Sequence, residues 1–327
     1  MTVTQTAIDR EMLLVPVAVG RTSDLGSALP VDAARATGPS GPDADAPGSA
    51  TRMVARSALV VLAVVSIGMV LQLTVVSGLE YRASQVSLFN AFRTQLALGT
   101  APLGPVGADH HLLPLGTPIA TVSIPAIGLH DAVVVEGTTA SVLAKGPGHM
   151  RDTVFPGGAG TSVILGRAAA YGGPFRRIVD LTHGQLITVT TQVGTSHFRV
   201  VRVRPAGAKV RPPAAGTSRL TLGTASGPAF APSGVVWVDA DKVGAPLPSA
   251  AMPAIQLLPG EAPLATDTST LWALLLWLEA LVILLAGAVW TCRRWGRAQA
   301  WIVFVAPMLL VWTFIADQIA RLLPNLL

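Results

Sequence analysis

Six histidines, one cysteine and a few well-placed hydroxyls are the side chains in this 327-residue sequence that could attack a carbon centre or carry a proton. Cys292 stands between a long apolar run and the arginines of TCRRWGRAQA, so it reads as an interfacial small residue, with S-acylation as its alternative chemistry. Being single, it removes any intrachain disulfide, CxxC redox motif or cysteine-built zinc site. His110 and His111 are adjacent, but no carboxylate cluster beyond Asp109 accompanies them, so a solvated loop is expected and no metal site. His130, His183 and His197 read as surface or turn residues. His149, in the turn GPGH (146–149), is the best-placed base, and Thr224 and Ser226 are the hydroxyls it would have to activate. Hydroxyl chemistry needs a hydrogen-bonded base and an oxyanion hole together, so the expectation is a braced turn and a strand end. GGAGTSVILG precedes a strand, whereas a phosphate loop follows one and opens a helix, so it too is a turn. No cofactor is implied.

The elements that must position these groups follow from composition. Only 13% of residues are charged and 51% are hydrophobic, against about 25% charged in a soluble domain, which points to a membrane. Residues 1–50, rich in Ala, Gly, Pro, Asp and Thr, are expected to be a disordered cytoplasmic tail. The uncharged run 57–79 is long enough to cross a hydrocarbon core about 30 Å thick, as are 270–290 and 301–323. Arg52, Arg56, Arg293, Arg294 and Arg297 flank these runs and place their loops in the cytoplasm. The protein is thus expected to be a multi-pass plasma-membrane protein, with the barrel and the C-terminus extracytoplasmic. A helix over 80–98 continues the anchor, and Pro/Gly linkers occupy 99–114 and 242–269. Between them lie seven short Val/Ile/Thr-rich runs bounded by Gly and Pro, the pattern of a small all-β barrel or sandwich. Short helical pieces fit around Ser141–Ala144 and Phe175–Leu181. Glu279, deep in the second run, is an expensive carboxylate. Antiparallel packing would bring it near Asp317, with Arg321 as a counter-charge, and the contact is expected to be made either internally or to another membrane protein.

The order IPAIGL (124–129), VVEGTT (134–139), LAKGPGH (143–149), PGGAGTSVILG (156–166), YGGPF (171–175), LTHGQLITVTT (181–191) and LTLGTA (220–225) resembles the sortase barrel, especially the class E type of high-GC Gram-positive bacteria. The resemblance implies an eight-stranded closed barrel over 115–241. It also implies a cysteine transpeptidase that joins sorting-signal proteins to a cell-wall amine, using a cysteine, a histidine and an arginine. The matching positions here hold Ala225, Arg167 (after Gly166) and Gly234 (after Ser233), so none of the three groups is present. A guanidinium cannot exchange protons at neutral pH.

The expected function is therefore a catalytically inactive, membrane-anchored binding or scaffold module of the cell envelope. The alternatives are an active class E-like sortase acting on cell-wall sorting signals, and a membrane-complex subunit acting through its C-terminal hairpin. The expected cleft comprises His149, Arg167, Tyr171 and Thr224, with an extended peptide or a cell-wall anion as its ligand. Another membrane protein is the expected partner through 270–323. Thinly spread arginines without a basic face exclude nucleic acid. The arginine distribution predicts that reporters fused after Val243 and after Leu327 register as external and one at Ala298 as cytoplasmic; an external Ala298 reporter overturns that topology.

Overall fold

The computed structural model describes residues 47–107, 110–208, 212–228, 231–249 and 252–327. The expected tail lies outside them except for residues 47–50, which already belong to a helix. That helix, α1 (Pro47–Leu71), is followed by a π-helical turn at Gln72–Val76 and by α2 (Ser77–Leu98). The expected span 57–79 is thus divided among three helical segments. Ser77 Oγ donates to the Leu73 carbonyl at 2.6 Å across the join. α2 ends at Gly99, whose φ of 69° is the left-handed stop that glycine supplies without strain.

Among the described residues two helices, not the expected three, are long and apolar enough to cross a membrane, Thr268–Arg294 and Ala298–Leu322. They correspond to α4 (Leu271–Arg294) and α5 (Arg297–Leu322), which form an antiparallel hairpin. Trp277 stacks on Phe314 with ring centres 4.4 Å apart, which fixes their relative height.

The domain between is a closed barrel of eight strands in the order β1-β2-β3-β4-β7-β8-β6-β5. The strands are β1 (Pro118–Ile124), β2 (Leu129–Glu136), β3 (Gly148–His149), β4 (Gly160–Leu165), β5 (Leu186–Thr191), β6 (Gly194–Arg204), β7 (Ser218–Ser226) and β8 (Gly234–Lys242). One short helix, α3 (Ala140–Leu143), follows β2. Alternation of buried and exposed residues along β6 shows why these runs are strands, since a period of two lets one face line a core. That core holds Ile119, Val122, Ile164, Ile187, Phe198, Val200, Leu220, Leu222 and Val238, all fully buried. Closure leaves no open sheet edge to template aggregation. The eighth strand, β3, is two residues long and bridges β2 to β4.

A buried ion-pair cluster locks β6, β7 and β8 together. Arg204 grips Asp239 through Nε at 2.7 Å and Nη2 at 3.0 Å, while Arg202 Nε and Thr221 Oγ1 donate to the same carboxylate. Burial alone would raise the Asp239 carboxyl, but the hydrogen bonds from Arg204 and Arg202 outweigh it and hold the group below the ordinary carboxylate range. A carboxyl depressed by folding stabilises the fold above its unfolded value, near 3.9, and that stabilisation is lost as pH falls through the folded value. Asp239→Asn should therefore lower barrel stability by about 3–5 kcal/mol, as breaking a buried pair does, and should flatten the acid limb of its pH–stability curve. Thermal melts of the purified chain between neutral pH and pH 3 check both.

Candidate functional site

The site begins with the parallel pairing of β4 on β7, in which Leu165 faces Gly223 and Ile164 faces Leu222. β8 pairs antiparallel on the other side of β7, with Ala225 opposite Val235 and Ser226 opposite Gly234. Gly166 N–H donates to the Gly223 carbonyl at 3.0 Å, and Thr224 Oγ1 donates to the Gly166 carbonyl at 2.9 Å. Positions 167, 225 and 234, far apart in sequence, therefore lie at the ends of three neighbouring strands. Two glycines make the floor. A Cβ at Gly166 would meet the Phe175 ring at 2.5 Å, and one at Gly223 would meet Leu165 and Trp237 at 2.6 Å.

Chain from outside the barrel fills this floor. After α5, Leu326 packs into a cluster with Leu143, Leu165 and Val235, with Ala225 and Trp237 against it. Ala168 N–H donates to the Leu326 carbonyl at 2.9 Å. Asn325 is fully buried, and its side-chain amide donates to the carbonyls of Thr138 (2.9 Å), Ala262 (2.9 Å) and Gly260 (3.3 Å). Its backbone N–H donates to the Ala265 carbonyl at 2.9 Å. The stretch expected as a linker at 242–269 thus supplies a wall of the site, and Glu261 within it is fully buried.

Arg167 departs from the expectation of an open cleft arginine facing an anion. Its side chain is 1% exposed; Nη2 donates to the Ala140 carbonyl at 2.8 Å, Nη1 to the Leu327 carbonyl at 3.3 Å, and the guanidinium lies 4.6 Å from the Tyr171 ring centre. Two carbonyls and a π-face hold it, in place of the expected ligand. Burial lowers the guanidinium to about 10, which still leaves it cationic at neutral pH. Tyr171, expected in the cleft, is itself buried, with its hydroxyl pushed up to about 12 by burial and a backbone φ of 50°. A bulky residue in the left-handed region marks a constrained loop. Its N–H donates to Ser77 Oγ of α2 at 3.1 Å.

His149, expected in the cleft, is instead a brace inside the barrel wall. Its Nδ1 lies 2.9 Å from Glu136 Oε2, its Nε2 3.0 Å from the Val154 carbonyl, and its ring meets Phe155 edge-on. Both ring nitrogens are engaged and the residue is fully buried, so it offers no base to Thr224, two strands away. The hydroxyl of Thr224 is likewise committed, to Gly166. Sequence reasoning missed Glu136, Asn325 and Leu326; the only signal for the first was a carboxylate ending a Val run beside a later histidine.

In the hairpin, Asp317 pairs with Arg321 at 2.8 Å, the expected counter-charge. Glu279 is exposed on α4 and does not join them.

Residues 122–241 match the sortase domain family. Solved structures similar to the chain include a sortase D transpeptidase of Clostridium perfringens (20% identity, 50% of this chain and 99% of that one, TM-score 0.41). Others are sortase E of Streptomyces avermitilis (24%, 41% and 93%, TM-score 0.33) and sortase A of Corynebacterium diphtheriae (21%, 50% and 86%, TM-score 0.36). No curated protein matches it.

If Arg167 is held by packing, Arg167→Ala should lower the melting free energy by about 1.5–3 kcal/mol, the range for hydrogen bonds to charged groups. Arg167→Lys should recover only part, since an ammonium lacks the planar fork. An unchanged melting curve for both variants would show that the guanidinium carries none of the packing.

Proposed function

We propose that this chain, which carries a sortase domain, serves as a membrane-anchored binding or scaffold module of the cell envelope and performs no thiol acyl transfer. The observation that carries the reading is Ala225 at the end of β7, next to β4 and β8, a methyl group with Leu326 packed beside it. The single cysteine lies on α4, among the helices that cross the membrane, and not in the barrel. No thioester can form on a methyl group. Arg167, at the position that the family resemblance assigns to a proton donor, stays protonated and is already saturated by carbonyls on two of its nitrogens.

In this reading α1 and the hairpin place the barrel outside the cytoplasmic membrane, and the domain acts by what it holds. A second reading, in which the hairpin assembles with a membrane partner, is favoured by one observation, the exposed Glu279 on a helix apolar enough to cross a membrane. Deleting residues 115–240 separates the two, because only the hairpin reading predicts that the captured complex survives.

The purified chain should neither cleave nor transfer sorting-signal peptides, as followed by mass spectrometry. Ala225→Cys should also be inert, because it lacks the proton donor and the oxyanion stabiliser, each worth about two or more powers of ten in rate. Turnover by the unaltered chain above the peptide-alone background overturns the reading.

A further inference from the structure

A cavity of about 280 Å³ lies between α2, the turn joining β1 to β2 and the turn that follows Tyr171. Among the described residues that line it, Arg176 and Arg177 alone are charged. It shares only Arg176 with the cavity that Ala225 lines, so it is a separate site. The turn that presents the two arginines is tight. Gly172 and Gly173 take φ of 74° and 49°; a Cβ on the first would meet the Tyr81 ring at 2.8 Å, and one on the second would meet the Ala168 carbonyl oxygen at 2.7 Å. Arg176 donates to the carbonyls of Ala168 and Ala169, both at 3.3 Å, and Arg177 to Asp180 at 3.4 Å and to the Ile127 carbonyl at 3.5 Å. A guanidinium has more N–H donors than these bonds use. Asp180 is the nearby competitor, but it and Arg177 are 57% and 60% exposed, and an exposed pair of this kind is weak. Two adjacent guanidinia with donors left over suit a phosphate diester, which each can hold through paired N–H groups.

The place of the pocket names the source of that phosphate. Tyr81, on its α2 wall, packs in one cluster with Met69 and Leu73 and, at the end of α5, with Ala320 and Leu323, the residue that opens the short tail after that helix. α5 is one of the two helices long and apolar enough to cross a membrane, so the pocket lies level with the end of a spanning segment. Apolar side chains are exposed beside it. Leu79 is 59% exposed two residues before Tyr81, and Val179, 44% exposed, lines the adjoining cavity together with Thr74 and Arg176. Burial pushes the Tyr81 phenol up to about 12, so its hydroxyl stays a neutral donor. Tyrosine, cations and exposed aliphatic groups together at the end of a membrane helix make a surface that meets lipid headgroups.

We infer that this pocket binds the phosphate diester of an anionic bilayer phospholipid, with Arg176 and Arg177 holding the phosphate and Tyr81 packing against the headgroup, and that it thereby ties the barrel to the membrane surface. The inference goes beyond the binding-module reading and does not depend on it.

The test uses the full chain in detergent micelles and a fluorescent short-chain phosphatidylglycerol, with phosphatidylcholine of the same chain length as the zwitterionic control. Phosphatidylglycerol should bind about tenfold or more tighter than phosphatidylcholine, since each basic residue near a membrane surface adds to the attraction for anionic lipid. Combining Arg176→Gln with Arg177→Gln should bring the two lipids to within about twofold of each other. The melting curve of that double variant should stay in place, because both side chains are exposed. Asp180→Asn removes the competing carboxylate and should tighten phosphatidylglycerol binding by about twofold, a readout that does not require the double variant to fold. Equal binding of the two lipids by the unaltered chain, an unchanged preference in the folded double variant, or no gain on Asp180→Asn overturns the inference. Displacement of the lipid by inorganic phosphate at equal concentration would mark a site for free phosphate and overturn the membrane assignment.

Discussion

The parallel register of β4 on β7 is the constraint from which the site follows. With Leu165 opposite Gly223, chain leaving β4 has to pass Thr224 and Ala225, whatever side chains it carries. A slip of one residue would turn every side chain of the strand to its other face and expel Ile164, Leu220 and Leu222 from the core. The register is thus set by buried aliphatic residues, and the convergence of positions 167, 225 and 234 is a by-product. Side chains at those positions can differ without shifting the register, because the buried aliphatic residues set it.

An arginine buried at position 167 creates a physical problem of its own, since a charge out of water needs compensation. Here two carbonyls and the Tyr171 ring provide it, and one of those carbonyls belongs to Leu327. Guanidinium and tail therefore depend on each other. The tail covers the charge, and the charge ties down the tail. Asp317 adds a longer-range attraction from the last turns of α5 and also helps to raise the Glu80 carboxyl, which is lifted mainly by burial. The electrostatics of the floor and of the membrane helices are thus one system.

How much of this the sequence shows depends on period and distance. Seven strands announce themselves as Val/Ile/Thr runs between Gly and Pro, and two short helical pieces fall where spacing puts them. β3 does not, because Gly148–His149 has neither alternation nor a β-branched residue and exists only as a bridge between longer strands. The positions of Ala225 and Arg167 are readable by resemblance, but their surroundings are not. Leu326 and Leu327 follow the expected span 301–323, and nothing in their types shows that they pack on the barrel. Pro324 is the only local sign that the chain turns away. His149 looks like a cleft base because pattern reading cannot see that Glu136 lies beside it across the β2–β3 pair. The α1 region departs from a single span for a related reason, since a π-helical turn at 72–76 leaves no mark in hydropathy.

The tail also limits where the barrel can sit. From the end of α5 at Leu322 to Leu327 there are five residues, which fully extended reach at most about 16–18 Å. Because Asn325 and Leu326 already pack on the site floor, that floor lies close to the end of α5. Packing of Leu323 and Ala320 against the cluster of Ala170 and Tyr171 agrees with this. If α5 spans the membrane as proposed, the site floor lies next to the membrane surface. Any displacement of α5 along its axis therefore changes how far residues 323–327 reach into the floor.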